Sequence, residues 1–167
     1  DDPQNRIRFL DIIRSNAVRL GRLTDDLLRL AQIEAGKVQL EFRPVRLCEI
    51  VEPCVETARI NAGARRLVIE AECGSDLAPV LGDINSLQEI LQNLLDNAVR
   101  YTPEGGRISV RAVAAEGEVV LSVTDSGIGI PKEHQARIFE RFYRVDKARS
   151  RERGGTGARL VRVMADM

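Results

Sequence analysis

The chain has 167 residues, enough for one domain with a short appendage and a single core. Lysine plus arginine and aspartate plus glutamate both number 25, so no net positive charge draws it to an anionic membrane or makes nucleic acid an expected partner. No apolar run approaches the ~20 residues of a membrane span, no signal peptide opens the chain, and Cys48, Cys54 and Cys73 form no C-x-x-C pair, which together predict a soluble piece without a cysteine metal site in a reduced, cytoplasmic setting, whether or not a parent protein is anchored in the inner membrane.

From the N-terminus, residues 4–35 read as one long helix in which Phe9, Ile13, Asn16, Leu20, Leu23, Leu27 and Leu30 recur at alternating spacings of four and three. That stripe is either a coiled-coil seam, with Asn16 as the polar residue that aligns two copies, or a face packed on its own domain; the scarcity of apolar residues off the stripe favours the seam. Gly36 is a natural stop, and residues 36–44 form a polar connector. Beyond it the pattern predicts a short strand at 45–47, an amphipathic helix at 47–61 and strands at 67–72 and 79–81, with Asp83 able to cap a following helix.

Residues 87–103 form that helix, and its two faces differ in chemistry. Leu87, Ile90, Leu91, Leu94, Leu95 and Ala98 share one side, while Glu89, Asn93, Asn97 and Arg100 run down the other. Asparagine is a poor helix former, so two of them one turn apart ask for a reason, which is either an ordinary solvated face or a ligand. Residues 107–114 and 118–124 then alternate as a hairpin around Glu116-Gly117, whose second strand leads into Asp125-Ser-Gly-Ile-Gly129. An aspartate there can accept a hydrogen bond from an exocyclic amine, and Gly127 and Gly129 leave room for a flat ring; turns use the same residues. His134 follows in what reads as a surface helix start, residues 141–153 as a mobile charged loop, and Gly154-Gly-Thr-Gly157 as a flexible loop able to point amides at phosphate.

Taken in this order, these stretches resemble the ATP-binding catalytic domain of sensor histidine kinases, in the wider family that includes gyrase, Hsp90 and MutL. The asparagine-bearing helix is similar to its N box, residues 125–129 to the first glycine box, residues 138–144 to the F box and Gly154 onward to the second glycine box. The resemblance implies an α+β fold of Bergerat type, a two-layer α/β sandwich with helices on one face of a mixed sheet. It divides the chain into the second helix of a dimerisation hairpin (1–36), a connector (37–44) and the ATP-binding domain (45–167). It also implies phosphoryl transfer from ATP, with Mg²⁺, to a histidine on that hairpin and onward to a response regulator, with a homodimer through residues 4–35. The acceptor histidine is not in this chain, so autophosphorylation is not expected of it. The remaining alternatives are a catalytically inactive nucleotide-binding or dimerisation module and an ATPase of the gyrase kind.

By the same resemblance Asn93 holds Mg²⁺ through its side-chain oxygen, Asn97 faces the nucleotide, Arg100 contacts phosphate and Tyr101 stacks near adenine. Asp125, Gly127, Gly129 and Ile130 form the base pocket, Gly155, Thr156 and Gly157 the phosphate loop, and Glu89 is at most a helper. Phe139, Phe142 and Tyr143 are either nucleotide contacts or core or lid-anchoring aromatics. After Gly157 the family continues Leu-Gly-Leu into a helix, whereas this chain reads Ala158-Arg159-Leu160. Arg159 thus takes a glycine's place, and the strands that close the family's sheet beyond that helix are expected to be missing.

Overall fold

The computed structural model describes residues 3–74, 76–115, 118–138, 140 and 157–164. It divides into two units, Asp1–Leu40 and Glu41–Met167.

The first unit is helix α1, Pro3–Glu34. Proline suits a first helical position because its missing N–H would have no partner there. At the other end Gly36 adopts φ +63, and the amides of Gly36 and Lys37 return to the carbonyls of Ile33 and Gln32, a Schellman stop. Along the predicted seam Phe9 (65%), Ile13 (63%), Leu20 (63%) and Leu27 (51%) remain exposed, Leu30 is half-buried, and the side chain of Leu23 lies outside the described residues. Leu10 and Leu28, off the seam, are exposed as well, so the apolar surface is broader than the stripe.

The second unit holds two sheets. Strand β1 (Arg43–Val45) pairs antiparallel with β3 (Val80–Gly82). The larger sheet has the order β2-β4-β5-β6. Its members are β2 (Val68–Cys73), β4 (Arg107–Ala115), β5 (Glu118–Asp125) and β6 (Gly157–Met164). The β2–β4 pair is parallel and the other two are antiparallel, which makes the sheet mixed. Strands β4 and β5 alternate as half-buried strands do: Ile108, Val110, Ala112, Val119, Leu121 and Val123 point to one face and are buried. Helices α2 (Leu47–Ala62) and α3 (Ile84–Tyr101) cover that face with Ile50, Val51, Val55, Leu91 and Leu95, all buried in the same cluster. The opposite face is mainly polar, though Val68 and Val113 are exposed on it, and Arg111 is paired to Glu72 at 2.9 Å across the strands. A short helix α4 (Lys132–Gln135) follows the loop after β5.

The short strand expected at 45–47 lies instead at Arg43–Val45, with Leu47 already in α2, and two further expectations need correction. Residues 157–164 are a strand, and the sheet is not left open at β5, because every residue of β5 pairs with one of β6 from Asp125↔Gly157 to Glu118↔Met164. The residue types favour this: Val161 and Val163 are β-branched, and β5 without β6 would leave a row of backbone groups without partners. The second correction concerns the cysteines. Cys48 and Cys73 are joined by a disulfide with Cα atoms 5.7 Å apart, so the reduced state predicted from their spacing does not hold for this pair. They stand 25 residues apart in the chain and meet only because the start of α2 lies beside the end of β2. Cys54 is free and buried, and burial pushes its thiol pKa up. Among the described residues no helix is long and apolar enough to cross a membrane.

Candidate functional site

Helix α3 starts where Asp83 accepts a hydrogen bond from the Ser86 amide at 2.8 Å. Its second carboxylate oxygen accepts from the Glu41 amide at 3.1 Å, so one side chain caps the helix and fastens the chain ahead of β1. These backbone donors, Ser86 first, hold the Asp83 carboxyl below the usual carboxylate range. From this anchor the helix buries Leu91, Leu95 and Ala98 against the sheet. The other side carries Asn93 and Arg100, both exposed, and Glu89, Asn97 and Tyr101, half-buried. The Asn97 side-chain amide donates to the Asn93 carbonyl at 2.8 Å. That bond uses one of the two N–H groups of Asn97 and orients the side chain, which leaves its amide oxygen and its second N–H available to a ligand.

The sheet brings a second group of residues to the end of this helix. Asp125 is the last residue of β5, and its Oδ1 accepts from the Gly127 amide at 2.8 Å, an Asx-turn that fixes the carboxylate at the mouth of the loop. Gly127 leaves no space for any other residue there: a Cβ would lie 2.5 Å from Asp125 Oδ1 and 2.7 Å from the Tyr101 carbonyl oxygen. Gly129 takes φ +68, a conformation that side chains disfavour. The loop is tied to β4 by two bonds, Ser126 N to Arg107 O and Arg107 N to Ser126 Oγ, both 2.9 Å. Ile130 is half-buried, and its carbonyl accepts from the Gln135 side chain at 3.0 Å.

Asn93, Asn97, Arg100 and Tyr101 therefore share the C-terminal half of α3, and the end of that helix touches the loop that holds Asp125, Gly127 and Gly129. Gly157 opens β6 directly opposite Asp125. Phe139, Phe142, Tyr143, Gly155 and Thr156 lie outside the described residues, as does the charged stretch 141–153. His134 is half-buried on α4. Among the described residues no cluster of three His, Cys, Asp or Glu side chains could hold a metal ion. A groove of ≈ 730 Å³ lined by Glu49, Glu52, Glu56 and Arg59 runs beside α2 and contains none of these site residues.

A residue that the sequence did not single out is Arg65. Its guanidinium donates to the carbonyls of Val99 and Thr102, the latter at 2.6 Å, at the end of α3. No local pattern marks an arginine for a partner 34 residues away.

The arrangement suits a flat, amine-bearing base. It offers a fixed carboxylate acceptor, a glycine loop without side chains, and a polar helix face beside them leading to a cation at Arg100. A cation such as Mg²⁺ that keeps most of its waters and shares phosphate oxygens fits a site offering one neutral amide oxygen, that of Asn93.

Comparison with known proteins adds independent findings. Residues 82–167 match the family described as histidine kinase-, DNA gyrase B-, and HSP90-like ATPase. The chain is 39% identical over 153 residues to the sensor protein DivL of Caulobacter vibrioides, covering 92% of this chain and 19% of that protein. It is 35% identical over 161 residues to the sensor-like histidine kinase SenX3 of Mycolicibacterium smegmatis, covering 96% of this chain and 42% of that one. The chain thus spans less than half the length of these relatives. Among solved structures it is similar to histidine kinase ThkA in complex with response regulator protein TrrA, with a TM-score of 0.72, 25% identity, and coverage of 86% of this chain and 42% of that one.

Proposed function

This chain belongs to the family of histidine kinase-, DNA gyrase B- and HSP90-like ATPases, as the ATP-binding catalytic domain of a sensor histidine kinase, and from that premise we propose how its residues work. The domain holds ATP for transfer of its γ-phosphoryl group to a histidine on the dimerisation hairpin of the parent kinase, from which a response regulator aspartate takes it. The observation that carries the reading is the contact between the end of α3 and the glycine loop, with the Tyr101 carbonyl and the Asp125 carboxylate both against Gly127.

In this reading Asp125 accepts a hydrogen bond from the adenine amine, Gly127 and Gly129 let the ring lie against backbone, and Ile130 and Tyr101 border it. Asn97 faces the nucleotide, Arg100 the phosphates, and Asn93 is the residue that would hold Mg²⁺, which when bound neutralises charge on the phosphate oxygens. By the same resemblance Gly155, Thr156 and Gly157 take the role of phosphate contacts, and Phe139 and Phe142 that of nucleotide contacts. Glu89 is a helper at most, because the nucleophile is an imidazole from another domain and not a water that needs a base.

Residues 1–36 act as one helix of the dimerisation region, residues 37–44 connect, and residues 45–167 bind nucleotide. A second copy docks through residues 4–35, and the parent's response regulator is the downstream partner, supported by the ThkA–TrrA complex. The chain's one histidine, His134, is not the acceptor, so this chain does not phosphorylate itself. The place of work is the cytoplasm, where ATP is made and used, with the parent free to be anchored in the inner membrane.

The test is calorimetric titration with ADP, with and without Mg²⁺. Asp125→Ala is expected to weaken ADP by about 1–3 kcal/mol, the cost of a lost buried hydrogen bond, whereas Asn93→Ala acts on the Mg²⁺-dependent part alone. Unchanged ADP affinity in Asp125→Ala defeats the assignment.

A further inference from the structure

We propose that Arg65 is a positioning residue for the nucleotide site, acting through the last turn of α3; this rests on the nucleotide reading above. The last carbonyls of a helix have no partner within the helix and carry the negative end of its dipole. Here one guanidinium serves one of them, Val99 O, and also the carbonyl of the extended cap residue just past the helix, Thr102 O, so a cation and a forked donor meet the helix end together. The Arg65 carbonyl also accepts from the Gly105 amide at 3.1 Å, which ties the same residue to the turn that leads from α3 into β4.

The segment that presents Arg65 is held in an uncommon backbone. It is the 3-10 turn Gly63–Arg65, entered at Gly63 with φ +48 and left at Arg66 with φ +52. Arg66 is the only residue other than glycine with positive φ among the described residues. A side chain pays for that conformation, so the surrounding contacts must enforce it, and the contact it serves is the one to α3.

Between the two carbonyls that Arg65 holds stand Arg100 and Tyr101. The Tyr101 carbonyl lies against Gly127, whose amide fixes Asp125. A short chain of contacts therefore runs from the Arg65 guanidinium to the end of α3, to the glycine loop, and to the carboxylate that reads the base. Loosening its first member lets the last turn fray and the Tyr101 carbonyl shift, which moves the glycine loop without removing any group that touches the nucleotide.

The test uses the full 167-residue chain, with ADP as the probe, in four forms: unsubstituted, Arg65→Met, Arg65→Lys and Arg59→Met. Arg59 is the control, because it also donates to a backbone carbonyl, Ile69 O at 3.0 Å, on the edge strand β2 two strands from β5. Arg65→Met is expected to weaken ADP roughly tenfold, the scale of a lost charged hydrogen bond, and Arg65→Lys to recover part of that by restoring charge without the fork. Arg59→Met is expected to lower the melting temperature and leave ADP affinity unchanged. In nitrogen–proton spectra without nucleotide, the Gly127 and Gly129 amide signals are expected to move in Arg65→Met and stay in Arg59→Met. If circular dichroism shows Arg65→Met unfolded, Arg65→Lys alone is compared with the unsubstituted chain, and equal affinity there overturns the proposal. Equal ADP affinity in a folded Arg65→Met, or an equal loss in Arg59→Met, also overturns it. Failure of the unsubstituted chain to bind ADP instead overturns the nucleotide reading itself and the proposal with it.

Discussion

The carbonyl oxygen of Tyr101 lies 2.7 Å from the point a Cβ on Gly127 would occupy, so the backbone at the end of the polar helix lies against the backbone of the loop after β5. Gly127→Ala is therefore expected to displace one of them. The cost is about 1–3 kcal/mol of stability, typical of overpacking, accompanied by loss of ADP binding. Chemical denaturation and calorimetry on the same variant check both. An alanine variant with unchanged stability would mean that the loop yields freely.

The Cys48–Cys73 disulfide closes a loop of 25 residues. Chain-entropy reasoning assigns such a loop roughly 3 kcal/mol of stabilisation, which a reductant or the Cys48→Ser/Cys73→Ser variant should remove. Cys73 pairs with Ala112 of β4, four positions along that strand from Ile108, the residue opposite Asp125. Melting temperature should consequently fall on reduction while ADP affinity stays the same. A change in affinity would show that the two ends of the sheet are coupled.

Asp83 supplies a pH dependence whose sign follows from its lowered pKa. A carboxyl that binds its proton less readily when folded contributes stability above its unfolded pKa. That contribution is lost as pH falls through the folded value. Asp83→Ala should thus melt earlier than the unsubstituted chain at pH 7, and the gap should close in acid below the usual carboxylate range. A gap that persists in strong acid would assign the effect to something other than the charged cap.

The exposed stripe of α1 is expected to bury itself against a second copy. Phe9, Ile13, Leu20 and Leu27 are all more than half exposed, and covering one such side chain is worth roughly 1.5–3 kcal/mol. Asn16, exposed on the same helix, can align two copies. Light scattering should show a dimer for the whole chain and a monomer for a version that starts at Gly36. A monomer in the first measurement, or a dimer in the second, removes the seam as the cause.

Local pattern alone specified much of this protein. The two faces of α3 follow from a 3.6-residue period over Leu91, Leu95 and Ala98. The β4–β5 hairpin follows from alternation that ends at Asp125, and Asp83 was recognisable as a cap from its place before the helix. Each signal lies within a turn or a strand, where neighbours in sequence are neighbours in space. Tertiary structure decided the rest. Residues 157–164 have a composition that a helix or a strand could use, and the open edge of β5 made them a strand. Cys48 and Cys73 became partners because α2 and β2 pack side by side. Arg65 found Val99 and Thr102 only after the sheet and α3 had come together, and no spacing in the sequence encodes a contact made through the core.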